Sequence, residues 1–173
     1  IPDKETWREY LTLEELNKVA RVHCEYPILK RAALFSALTG LRWSDVRKVE
    51  EAHIYRKEMY FRYRQKKGKA METKYLSDQA LSLLDKSKNP NHKTFESLPI
   101  EPTTTIKTRL TKWMGAAGIT KNITIHSFRH TYATIQLTLG TDIYILSGEL
   151  GHKSIKNTVI YAKIVDSRKK EAA

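Results

Sequence analysis

Hydrophobic positions recur at helical spacing over most of this chain, with one interruption. Leu13, Leu16, Val19 and Ala20 form a stripe, and Thr12 and Glu15 stand at capping-box spacing ahead of it, so a helix is predicted to begin at Thr12. Ile28 to Leu38 is apolar without strand alternation and runs into Thr39-Gly40, where the glycine suits a helix C-cap. A short third helix is predicted from Ser44, with its hydroxyl as cap and Val46 and Val49 turned inward. From Ile54 to Leu76 the pattern changes. Ile54, Tyr55, Tyr60, Phe61 and Tyr63 are strand formers, and the polar run Gln65-Lys66-Lys67-Gly68-Lys69 makes the segment strand, exposed turn, strand. Helix returns at Ser77 to Leu84. Asp85 to Pro102, with Pro90, Pro99 and Pro102, is a loop. Thr103 to Ala117 is helical, with Ile106, Leu110 and Trp113 or Met114 on one face and Gly118 closing it. A helix carrying Phe128, Tyr132, Ile135 and Leu139 on its apolar side follows. Leu146 to Leu150 is then closed by Gly151, and a last helix capped by Ser154 contains Ile155, Thr158 and Tyr161. The fold class is therefore mostly α with a small antiparallel β-sheet, in a single domain over 1–173.

Composition narrows the function classes. With 40% hydrophobic residues in 173, and only 7 Gly and 5 Pro, the chain can bury a core and is neither disordered nor low-complexity. The single cysteine, Cys24, allows no internal disulfide and no thiolate zinc site, which points to a cytoplasmic setting. No apolar run reaches the roughly 18 residues of a membrane span, and Ile1 to Arg8 is too polar for a secretory signal. Lys and Arg number 31 against 19 Asp and Glu, a formal charge of +12, so a polyanion is the expected partner, nucleic acid ahead of lipid.

Four short stretches carry candidate chemistry. In His126-Ser127-Phe128-Arg129-His130 a helix sets His126 and Arg129 about 60° apart on one face. Taken alone, the pair is better explained by a solvated face that happens to hold both. Leu150-Gly151-His152 puts a histidine at the start of the last helix, where it could equally serve terminal carbonyls, and Tyr161 there could be half-buried packing. Thr39-Gly40-Leu41-Arg42-Trp43-Ser44-Asp45 places an arginine at a junction of helices, from which it can reach into a cleft or lie on the surface. Lys66, Lys67 and Lys69 crowd a hairpin tip, where charge normally serves solubility.

In this order and spacing, with Tyr161 nine residues after His152, these elements resemble the catalytic domain of the tyrosine recombinase (phage-type integrase) family, from Tyr10-Leu11-Thr12 to Tyr161. The wording around Gln65-Lys66-Lys67 and His126 to His130 resembles integrases of conjugative transposons and phages more than chromosome-dimer resolvases. The resemblance implies the DNA breaking-rejoining fold and site-specific recombination through a covalent 3′-phosphotyrosine. Arg42, Arg129 and His152 would surround the scissile phosphate, His126 would match the second-box histidine, and Lys67 would serve the leaving oxygen, with Lys69 as second choice. Tyr161 would be the nucleophile, with Tyr144 next. Asp45 would fix Arg42 or its helix. The partner would be double-stranded DNA, held by a tetramer of protomers that are monomers in isolation, and no cofactor or metal would be needed. An N-terminal core-binding domain would belong to the full-length protein. The chain departs from the family at Lys163, where a histidine is common, and at Asn157 beside Thr158.

The residue types fit this chemistry on their own terms. A phosphodiester under attack gathers charge on its non-bridging oxygens, and a planar guanidinium matches it bidentately while staying protonated. A tyrosine hydroxyl with an ordinary pKa near 10 needs cationic neighbours or a base. Two other readings share much of the sequence: a type IB topoisomerase-like nicking-closing enzyme, and a non-catalytic basic DNA-binding module, which leaves Arg42, Arg129, His152 and Tyr161 together as coincidence.

Overall fold

Thr12 caps the first helix by a reciprocal pair of bonds: the Glu15 amide donates to its hydroxyl at 3.2 Å, and the Thr12 amide donates to the Glu15 carboxylate at 2.8 Å. The computed structural model describes residues 8–64, 70–100 and 103–173. The elements are α1 (Leu13–Arg21), α2 (Pro27–Thr39), α3 (Trp43–Val46), a 3-10 turn (Glu51–His53), β1 (Ile54–Tyr55), β2 (Tyr60–Arg64), β3 (Met71–Tyr75), α4 (Asp78–Ser82), α5 (Thr104–Ala116), α6 (Ile125–Thr138), α7 (Ile143–Glu149) and α8 (Lys156–Ala172). The sheet is antiparallel in the order β1-β2-β3, with Ile54 opposite Phe61 and Phe61 opposite Lys74. The architecture is mostly helical with this small sheet, in agreement with the sequence reading.

Two apolar clusters hold the elements. The larger joins α1, α2, α5 and the sheet through Phe35, Phe61, Phe95, Leu110, Trp113 and Phe128, with Phe35 at 5.7 Å from Phe95 and 6.1 Å from Phe61 between ring centres. Burying each such ring removes roughly 150–250 Å² from water, so this cluster dominates the fold's stabilisation. The smaller cluster is Tyr132, Ala133, Leu146, Leu150, Tyr161 and Ile164, and it clamps α7 and α8 onto α6. The candidate nucleophile is therefore also a core residue of the second cluster.

Several local expectations need correction. Leu13 is 52% exposed and Leu139, the C-cap of α6, is 69% exposed, because each lies at a helix end beyond the face its neighbours bury. The third helix starts at Trp43 and its N-cap is Arg42, with no side-chain cap from Ser44. Trp43 decides this: its buried indole donates to the Pro99 carbonyl at 2.8 Å and pins the chain one residue earlier. The first strand divides in two at a turn in which Met59 takes φ 61°, a conformation that neither glycine nor asparagine marks in the sequence. Ile155 rather than Ser154 is the N-cap of α8, although the Ser154 hydroxyl accepts from the Lys156 amide at 3.3 Å. The turn at Gln65 to Lys69 lies outside the described residues.

Candidate active site

Gly40 ends α2 in the left-handed region, φ 72°, as its place in the sequence predicts. A Cβ there would stand 2.5 Å from a ring carbon of Tyr132, so the turn has no room for a side chain. Leu150 ends α7. Both helix ends leave carbonyls without an intrahelical donor and carry the negative end of the peptide dipoles. Arg129, on α6 and only 8% exposed, answers both: Nη1 donates to the Gly40 carbonyl at 2.7 Å and Nη2 to the Leu150 carbonyl at 2.6 Å. Its guanidinium is thus fixed in plane by two helix ends.

His152 follows from the same turn. Arg129 Nη2 lies 3.3 Å from His152 Nε2, and His152 Nδ1 lies 2.7 Å from the Thr158 hydroxyl on α8. Guanidinium nitrogens only donate, so Nε2 is the lone-pair nitrogen and Nδ1–H donates to Thr158. Burial, then Arg129 and Arg42, hold the His152 pKa down to about 4, so the ring is neutral at physiological pH. Burial, then Arg42, brings Arg129 down to about 10, which still leaves it a full cation. The Arg42 charge acts on both Arg129 and His152, so the three groups lie near one another.

Tyr161 lies on α8 one turn beyond Thr158 and is 1% exposed. Its hydroxyl is 2.6 Å from His130 Nδ1, and burial above all holds the His130 pKa down to about 4. His130 is the site residue the sequence reading passed over. It sits beside Arg129 in the motif, but a helix turns it about 100° away, toward α8, and nothing local says that α8 returns there. His126 is exposed in the first turn of α6 and close enough to His130 to depress its pKa. Arg42 stands half-buried at the start of α3. Tyr144 is exposed on α7. Asp45 is buried, but its ion pair among the described residues is with Lys48, at 3.3 Å, and not with Arg42. Lys66, Lys67 and Lys69 lie outside the described residues. Among the described residues no group of three His, Cys, Asp or Glu could hold a metal ion, and no helix is long and apolar enough to cross a membrane.

Residues 9–168 match the phage integrase family. The chain belongs to that family. Tyrosine recombinase XerC of Oceanobacillus iheyensis is 30% identical over 181 residues, covering 94% of this chain and 59% of the relative. The chain spans 59–60% of the length of the first curated tyrosine recombinases it matches. Among solved structures, XerA recombinase superposes with a TM-score of 0.73 at 23% identity, over 94% of this chain and 63% of that one. XerH site-specific recombinase, solved bound to a palindromic difH substrate after cleavage, gives 0.70 at 19% identity over 95% of this chain and 52% of that one. At these identities the two structures establish the fold, which is that of the phage integrase and tyrosine recombinase catalytic domains.

Proposed function

We propose that this chain is the catalytic domain of a tyrosine-type site-specific recombinase that cleaves and rejoins double-stranded DNA. The observation that carries the reading is the arginine that two helix ends hold in plane beside a neutral histidine and a second arginine, with a tyrosine on the adjoining helix. In the reaction the Tyr161 hydroxyl, beside the cationic arginines, loses its proton to solvent as its oxygen attacks the scissile phosphorus, the bond to the 5′ oxygen breaks, and that oxygen leaves with a second proton. A phosphodiester is kept in the 3′-phosphotyrosine, so the reverse attack by a 5′ hydroxyl restores DNA without ATP. Arg42 and Arg129 neutralise the non-bridging oxygens, His152 and His126 complete the phosphate site, and Lys67 protonates the leaving oxygen. His130 holds the Tyr161 hydroxyl before attack, and α8 must release it for the oxygen to reach phosphorus. On DNA the protomers assemble as a tetramer, the arrangement strand exchange between two duplexes requires.

The test is a pool of nicked duplexes of randomised sequence, incubated with the chain in EDTA and resolved under denaturing conditions. A covalent protein–DNA adduct is expected, and it disappears in Tyr161→Phe while DNA affinity is kept, since one hydroxyl and no charge is lost. An adduct that survives in Tyr161→Phe moves the nucleophile elsewhere. No adduct at all reduces the chain to a DNA-binding module.

A further inference from the structure

β3 has a single buried residue, and it is a lysine. Lys74 is 7% exposed, on the inward side of a strand whose other four residues are exposed. Its Nζ lies 4.9 Å from the centre of the Tyr132 ring and donates to the Tyr132 hydroxyl at 3.4 Å. That hydroxyl in turn donates to Glu149 Oε2 at 2.6 Å. The three groups line a small cleft of about 150 Å³ between β3 and the end of α7. Burial draws the Lys74 amine below its ordinary range and the Arg129 charge adds to that shift, while the Glu149 carboxylate opposes it through the intervening hydroxyl. A buried cation is costly where an aliphatic side chain would fill the same place, so its position calls for a purpose.

The position of Tyr132 supplies one. Its ring lies against Gly40, whose carbonyl accepts from Arg129, and its hydroxyl holds Glu149, the residue before Leu150, whose carbonyl accepts from Arg129 as well. We propose that Lys74, Tyr132 and Glu149 form a brace that fixes the two carbonyls holding Arg129, and so aims its guanidinium at the scissile phosphate. They are positioning residues that act through Arg129 and do not touch DNA. The inference rests on the reading of the site as a recombinase centre, and it can fail separately.

The variants are Tyr132→Phe, which keeps the ring against Gly40, Glu149→Gln and Lys74→Met. Single-turnover cleavage is measured on a nicked duplex selected by the wild-type chain, with either a phosphate or a methylphosphonate at the scissile position. The methylphosphonate has no negative charge to neutralise, so a defect in guanidinium placement matters less there. Each variant is expected to slow cleavage of the phosphate substrate by about tenfold, the scale of one orienting hydrogen bond to a charged network. The deficit should shrink on the methylphosphonate, as is also expected of Arg129→Ala, the control. An equal deficit on both substrates, or none on either, overturns the brace. A second readout needs no activity: exchange of the Arg129 side-chain N–H protons by NMR. These should exchange about tenfold faster in Tyr132→Phe and Glu149→Gln, with α2 backbone amides unchanged. Equal protection in the variants overturns the brace even if the enzyme cleaves. A wild-type chain that forms no adduct overturns the recombinase reading, and the exchange result then decides the brace alone.

Discussion

At the scale of single residues, the site depends on donor geometry and on histidines kept neutral. Arg129 spans two carbonyls and His152 at once, a task for a planar fork with five N–H groups. Lysine has three donors on one nitrogen. Arg129→Lys is therefore expected to keep the charge yet lose about 10² to 10³ in cleavage rate, read by single-turnover kinetics, as for loss of a preorganised donor. A wild-type rate in that variant would make the arginine purely structural. The histidines predict a pH dependence of stability. His130 and His152 are held to about 4 in the folded chain, whereas the ordinary value in an unfolded chain is about 6.5. Between those values the unfolded state binds more protons, so stability is complete above about 6.5 and falls as the pH is lowered toward about 4. Glu15 and Asp85, held below the ordinary carboxylate range, act only toward the acid end of that window. Thermal unfolding followed across the window should show Tm falling with acidification, and less steeply in His130→Gln.

At the scale of elements, the turn from α2 to α3 carries more than its length suggests. Gly40 takes φ 72°, faces the Tyr132 ring and offers its carbonyl to Arg129, while Arg42 opens α3 two residues later. Gly40→Ala adds a strained left-handed alanine, costing about 1–3 kcal/mol, and a Cβ that Tyr132 must move to admit. Denaturant unfolding should show a loss of at least that size, and cleavage should fall further than stability, because the displaced carbonyl belongs to the Arg129 cradle. Full stability in Gly40→Ala would mean that the turn can relax without disturbing α6. α8 has the complementary role. One turn of it gives Thr158 to His152 and Tyr161 to His130, so it fixes the histidine tautomer and withdraws the hydroxyl together. Its seating on α6 through Tyr161 and Ile164 would link release of the proposed nucleophile to opening of the smaller cluster.

At the scale of the whole molecule, if the chain acts on DNA as proposed, a formal charge of +12 on 173 residues is expected to make counterion release the main source of its affinity. Binding to a duplex without a recombination site should weaken by at least about tenfold between 50 and 200 mM salt, by titration at several ionic strengths. A nearly flat dependence would show that phosphate contacts are not what hold the DNA. Much of this protein was legible in its sequence because the signals are local. The caps at Thr12 and Gly40, the apolar face of α5 and the short motifs around Arg42, Arg129 and His152 each depend on neighbours within a few residues. The divided strand escaped notice because the turn at Met59 uses no turn-forming residue. What tertiary structure alone decided is which distant groups share a surface. His130 meets Tyr161 across 31 positions, Arg129 reaches the Gly40 carbonyl across 89, and Lys74 meets Tyr132 across 58. The reason is physical: helix caps and periodic burial are set by backbone geometry over one or two turns, whereas those contacts exist only after α2, α6, α7, α8 and the sheet have packed around their two apolar clusters.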